Sequence, residues 1–405
     1  MGSGAVRAFS TGQTGAFMAD AVTLDVNLDF RVDVIYAGSV ICNVRTPLVS
    51  PNTFGPCTGP DPKPGVVWRG AMWRLTTNGG DTNPDNWGIF SAGRVPTKVI
   101  STLATTPCTS AAASFTGGSP CQVGPITAAP TLTQDDTNNV WLFFGTGRYY
   151  TTTDKCTAGI QTTFDNCNVD IQHFFGVKDC IVSSACSDET VERNNLFNVS
   201  NVVTCSSCAA GTNVSTTGSA SSFTIGFSAG GGSLVNNVQN GDGWFTTFND
   251  PTAPLQTPPR SALTPGERNL ASATLLGGTV FFTSFIPTTD IRQASGAVSG
   301  TVSGTAQLYA VFYLTGGPYP TSTFGTALPG SDAIASKSIA LGKGVPSQLS
   351  VQIGAQGNGA AGTSSNSGCV SRVTGFYQTS MGVLVQICGR PALPTWSRMM
   401  SWRDI

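Results

Sequence analysis

Residues 134–150 read QDDTNNVWLFFGTGRYY. A cluster of turn formers, Asp135 to Asn139, leads into the apolar run Val140 to Phe144, which Gly145 and Gly147 close. A bounded apolar run of this length is a strand signal. The same arrangement recurs at Val32 to Ala37, Ala71 to Leu75, His173 to Val177, Thr279 to Phe285, Gln307 to Leu314 and Gly382 to Ile387. No stretch keeps a 3.6-residue apolar period between helix caps, so the chain is predicted to be all-β, with antiparallel sheets joined by loops. Many short strands suit a sandwich, a barrel or a propeller, and their uneven spacing predicts long loop insertions. The Ser/Gly/Thr-rich stretches 205–233 and 354–368 are read as surface loops.

Composition narrows the function classes. Of the 405 residues 11% are charged, with a formal net charge of −1, so neither a nucleic-acid footprint nor a basic membrane-binding run is present. The 48 glycines and 24 prolines supply turns, and the apolar runs stay below the roughly 18 residues that span a bilayer. The 12 cysteines lie partly in near neighbours, Cys42 and Cys57, Cys108 and Cys121, Cys156 and Cys167, Cys180 and Cys186, Cys205 and Cys208, Cys369 and Cys388. That spacing suits disulfides that staple loops in an exported protein, although connectivity is not readable from sequence. The N-terminal MGSGAVRAFSTGQTG carries no signal-peptide pattern, so the chain is read as mature exported sequence.

Catalytic patterns fail on inspection. Gly226-Phe-Ser228-Ala-Gly230 matches a nucleophile elbow, but the single histidine, His173, precedes the serine, whereas the hydrolase order puts it last. Cys205-x-x-Cys208 has no second pair or nearby histidine to make a zinc site. Glu189 and Glu192 sit in a loop and Glu267 in a GERN turn, so no paired carboxylates emerge, and the expectation is a non-enzyme. Trp68, Trp73, Trp87, Trp141, Trp244, Trp396 and Trp402 could stack sugars on an exposed surface or pack strands, and packing is the preferred reading.

The segment DVNLDFRVD, Asp25 to Asp33, places oxygen-bearing side chains at loop positions one, three, five and nine. That spacing lets a tight loop wrap calcium, with Asp25, Asn27, Asp29 and Asp33 as side-chain ligands and the Arg31 carbonyl at position seven. Position twelve is Tyr36 rather than glutamate, and Leu28 and Phe30 stand where such loops favour glycine. The same residues also alternate from Val22 to Val34 as an amphipathic strand would.

Taken in order, DVNLDFRVD, DVIYAG (33–38), AMWRLTT (71–77), PITAAP (125–130), FFGTGRYY (143–150), HFFGVKD (173–179), Gly243-Trp244, GERN (266–269) and SWRDI (401–405) resemble the C-terminal β-propeller of the PilY/PilC family of type IV pilus tip and biogenesis proteins. The resemblance implies one propeller domain over 1–405, of a modified seven-bladed type, with disulfide-bearing insertions near 42–67, 101–124 and 180–240. It implies calcium at Asp25, Asn27, Asp29, the Arg31 carbonyl and Asp33. Its implied setting is the pilus tip or outer membrane, reached through the periplasm, where the chain would support pilus extension, twitching motility and attachment. Minor pilins and the pilus machinery would be partners, beside a surface ligand. Only 24 residues precede the acidic loop, which in the family lies well inside the propeller, so early blades are expected to be missing or supplied by another chain. The alternative is a pilus-independent, lectin-like adhesin that binds glycans through exposed aromatics.

Overall fold

The computed structural model describes residues 7–45, 54–56, 66–89, 93–101, 123–150, 172–179, 181, 196–200, 202–203, 205–207, 224–225, 241–248, 267–287, 304–318, 323, 333–353, 373–382 and 384–388. Among them the only helical element is a 3-10 turn at Pro84–Asn86, and everything else is strand, turn or loop. No helix among the described residues is long and apolar enough to cross a membrane.

Among the described residues four sheets of three or more strands succeed one another along the chain, antiparallel throughout except at one edge strand of the second. Sheet 1 holds β1 (Ala16–Leu24), β2 (Val34–Arg45), β4 (Val66–Thr76) and β5 (Thr97–Ser101) in that spatial order, with β3 (Phe54–Pro56) on the far end of β2. Sheet 2 runs β6 (Thr131–Gln134), β7 (Val140–Gly145), β8 (His173–Asp179), β13 (Gly243–Thr247), with β9 (Phe197–Asn198) running parallel beside β13. The short strands β10 (Val202–Val203) and β12 (Thr224–Ile225) pair with each other, and β11 (Cys205–Ser207) pairs with β17 (Ala333–Ile334). Sheet 3 is β14 (Thr274–Leu276), β15 (Thr279–Pro287), β16 (Gly304–Phe312), β18 (Ser338–Lys343). Sheet 4 is β19 (Ser350–Ile353), β20 (Val373–Gln378), β21 (Leu384–Cys388). Each is an up-and-down meander, the form of a propeller blade.

Side-chain alternation explains why the sheets stack. Along β7, Val140, Leu142 and Phe144 join Val34, Tyr36, Met72 and Ile100 of sheet 1 in one buried cluster. The intervening Trp141 and Phe143 join Val280, Phe282, Tyr309 and Val311 of sheet 3 in the next. Sheet 3 repeats the device: Phe281, Leu308 and Leu341 face Tyr377 and Val351 of sheet 4. A sheet covered on both faces reads as a continuous apolar run, which is what VWLFFG and TVFFTSF are. The tightest hairpin, β14–β15, turns on Gly277 and Gly278, whose φ of 57° and 78° give the two left-handed residues of a type I′ turn.

Extended segments stitch neighbouring sheets together. Residues 123–130 accept from Gly70 N–H at Val123 O (2.8 Å), donate from Ile126 to Ser39 O (3.2 Å) and accept from Gly147 N–H at Pro125 O (2.7 Å). They need glycine opposite: a Cβ on Gly38 would lie 2.3 Å from Ile126 Cγ2, and one on Gly70 2.2 Å from Gly124 O. Residues 267–269 do the same between sheets 2 and 3, through Asn269 N–H to Thr146 O and the paired Arg268–Phe285 backbone bonds.

At the ends of the insertion expected near 42–67, β2 continues to Arg45 and β4 starts at Val66, the two pairing from Val34↔Thr76 to Val44↔Val66. The described parts of the insertion at 180–240 form short strands, among them β9 at the edge of sheet 2. Most of the three insertions, SWRDI, Trp396, Trp402 and the 226–230 motif lie outside the described residues. Cys42 is disulfide-bonded, and no described cysteine is free.

Candidate metal centre

The 25–33 segment is the loop of the β1–β2 hairpin and not a strand. Pairing stops at Leu24↔Val34, and Asp33 N–H donates to Leu24 O (2.9 Å) to close the loop. Inside it, short polar side chains capture backbone donors that a strand would have offered to a neighbour. Asp25 accepts from the N–H of Asp29 (Oδ1, 3.1 Å) and of Phe30 (Oδ2, 2.7 Å). Asn27 Oδ1 accepts from Asp29 N–H (3.0 Å) and Asp29 Oδ1 from Arg31 N–H (2.9 Å). Asp33 Oδ2 takes Val26 N–H (2.8 Å) and, at longer range, Asn27 N–H (3.4 Å).

Leu28 and Phe30 adopt the left-handed conformation themselves, with φ of 61° and 67°. Left-handed backbone costs a non-glycine residue about 1–2 kcal/mol. Burial offsets little of it, because the side chains are 79% and 80% exposed. The alternating pattern was therefore misleading, and the glycine-like turns at positions four and six are made by a leucine and a phenylalanine.

The predicted ligands thus share one loop, and their donor set is all oxygen, the chemistry that hard cations take. Their carboxylates are arranged around backbone N–H groups, and among the described residues no group of three or more His, Cys, Asp or Glu side chains is placed to hold a metal ion. An oxygen that accepts one N–H keeps a second lone pair, so Asp25, Asn27 and Asp29 retain donor capacity, while Asp33 Oδ2 accepts two N–H groups. Tyr36, at position twelve, is buried in β2 and donates its hydroxyl to Asp179 Oδ2 (2.8 Å), so it takes no part in the loop.

Several buried polar residues tie the sheets together. Asp179 of β8 is ion-paired with Arg74 of β4, both almost fully buried, which ties sheet 2 to sheet 1. Burial, reinforced by the Asp179 charge and hydrogen bond, holds the Tyr36 phenol well above its usual pKa. His173 packs against the rings of Phe175 and Phe245, at centroid distances of 5.8 and 5.5 Å. Glu267 does not sit in a turn: it is buried and accepts from the hydroxyls of Ser284 and Tyr309. Trp141 and Trp244 are fully buried, Trp73 nearly so, and Trp68 lies under the Arg148 guanidinium at 3.6 Å. No described tryptophan is among the exposed large hydrophobics.

No protein-family model matches the chain, and no curated protein does. Among solved structures it is similar to the crystal structure of the Pseudomonas aeruginosa PilY1 C-terminal domain, at 16% identity and a TM-score of 0.49. The similarity covers 94% of this chain and 63% of that one, so the chain spans less than two thirds of the structure it matches. A likeness at this identity and score is too weak to assign a family or an activity.

Proposed function

We propose that the chain is a non-enzymatic, calcium-responsive module of type IV pilus biogenesis and adhesion, exported to the cell surface. The carrying observation is the 25–33 loop: a nine-residue turn with oxygen side chains at alternate positions, held in left-handed backbone at both places where calcium loops use glycine. Asp25, Asn27, Asp29, the Arg31 carbonyl and Asp33 would hold the ion, and calcium would supply a fixed positive charge among three aspartates. The ordered series of motifs that resembles the PilY/PilC propeller supports the pilus setting, and the stacked meanders support its fold. In this reading the chain acts with minor pilins and the pilus machinery, supporting extension, twitching motility and attachment. The lectin-like alternative is weakened, since Trp73, Trp141 and Trp244 are buried in the core.

Calorimetric titration with calcium, using Asp29→Ala as control, tests the ion. The expected outcome is heat and thermal stabilisation in the parent chain and neither in the variant; absence of both in the parent refutes calcium. Deleting the gene in its source organism tests the pilus setting: surface pili and twitching should fall, and unchanged piliation would refute it.

A further inference from the structure

We propose that the 25–33 loop and the 77–89 segment, which leads from β4 toward β5, order and loosen as one unit, so that the state of the loop is carried to a second surface. The coupling runs through Thr77, a residue 1% exposed. Its N–H donates to Asp33 O (2.8 Å), and its hydroxyl donates to Val32 O while accepting from Gly80 N–H (3.0 Å). Val32 lies between the Arg31 carbonyl and Asp33, both proposed ligands, so any rotation there displaces the two carbonyls that Thr77 holds. Gly80, at φ 72°, lets the Arg31 side chain lie against the segment: a Cβ there would stand 2.5 Å from Arg31 Cβ.

From Thr77 the contacts run onward. Asp81 N–H donates to Thr77 O (3.0 Å), Asp81 Oδ2 accepts from Asn86 Nδ2 (2.7 Å), and Asp81 O accepts from Trp87 Nε1 (2.7 Å). Trp87 stacks on Phe9 with centroids 5.8 Å apart, and Gly88 N–H returns to Thr76 O (2.7 Å). A ligand that fixes residues 31–33 therefore fixes a hydrogen-bonded chain that ends on an aromatic pair. This inference rests on the calcium reading only for the ligand that sets the loop.

Hydrogen exchange of the full chain, in calcium or in EGTA, tests it. The two hydrogen bonds at the Thr77 hydroxyl predict that calcium slows exchange in 77–89 roughly tenfold, and that Thr77→Val abolishes most of that slowing. Coupling is reciprocal, so Thr77→Val should weaken calcium binding by a similar factor. Slowed exchange in 25–33 without change in 77–89 overturns the relay and leaves calcium standing. If calcium alters neither segment, the calcium reading fails, and the relay is then decided by Asp25→Ala. That variant removes two hydrogen bonds from the loop and should speed exchange in 77–89; unchanged exchange overturns the relay.

Discussion

Replacing Phe30 by glycine should give a more stable protein than replacing it by alanine. Both substitutions remove the ring, whose 80% exposure means that little burial is lost, so their difference isolates the backbone. At φ 67° an alanine Cβ retains about 1–2 kcal/mol of left-handed strain, which glycine releases, while glycine gives back roughly 0.5–1 kcal/mol of chain entropy. The glycine variant should lead by about 0.5–1 kcal/mol, and Leu28, at φ 61°, should behave alike. Val26 is the control: it is absent from the positive-φ residues, so alanine should outperform glycine there by about 0.5–1 kcal/mol. Urea denaturation with equal m-values reads the differences directly. Had residues 22–34 formed one strand, alanine would win at all three positions. That result would refute the loop geometry, and with it the site.

The Arg74–Asp179 pair is buried between two sheets, so Asp179→Ala should cost about 3–5 kcal/mol by stranding the guanidinium; a loss below about 1 kcal/mol in urea melts would refute the dry interface. Burial raises the pKa of Asp135, but donors from Trp141, Asn139 and Thr137 outweigh it and bring the carboxyl from 3.8 to about 2. Because the folded value is the lower one, the stabilisation is present above the unfolded pKa and is lost as pH falls from about 4 towards about 2. Asp135→Asn should flatten stability in that window, and an unchanged acid limb would show that the β6–β7 turn contributes nothing to it. Trp141, fully buried between sheets 2 and 3, should cost about 3–5 kcal/mol when cut to alanine, whereas a lectin surface residue would cost glycan binding and little stability.

Strand positions were legible because burial on both faces leaves an unmistakable trace. Val140–Gly145, His173–Asp179 and Thr279–Pro287 appear within two residues of the runs that predicted them. The acidic loop was ambiguous because alternation is a property of side-chain order, and both a strand and an oxygen-lined loop use every second residue. What decides between them is local: Asp25, Asn27 and Asp29 sit close enough to backbone donors to outcompete a pairing partner, an outcome that hydrophobicity does not encode. Glu267 was misread for the opposite reason. GERN has turn composition, yet the segment crosses between sheets, and only the distant Tyr309 and Ser284 hydroxyls make a buried carboxylate tolerable.

The placement of the motifs separates what they say about fold from what they say about function. PITAAP lies across sheets 1 and 2, hydrogen-bonded to Ser39 and Gly147, and GERN joins sheets 2 and 3 through Thr146 and Phe285. FFGTGR supplies Gly145 and Gly147, where a Cβ would strike Asn269 or Arg268 at 2.3–2.4 Å. These are requirements of stacking twisted meanders closely, and any chain that solves the same packing problem has reason to keep them. They therefore argue for the architecture and leave the activity open. The acidic loop is constrained mainly on one side, by Thr77 and Gly80: it closes the β1–β2 hairpin, bears two exposed apolar side chains in costly backbone, and packs Val26 against the core. Function is thus tested at Asp25 to Asp33 and Thr77, where substitutions should change ligand response more than stability, the reverse of the pattern expected at Asp179 or Trp141.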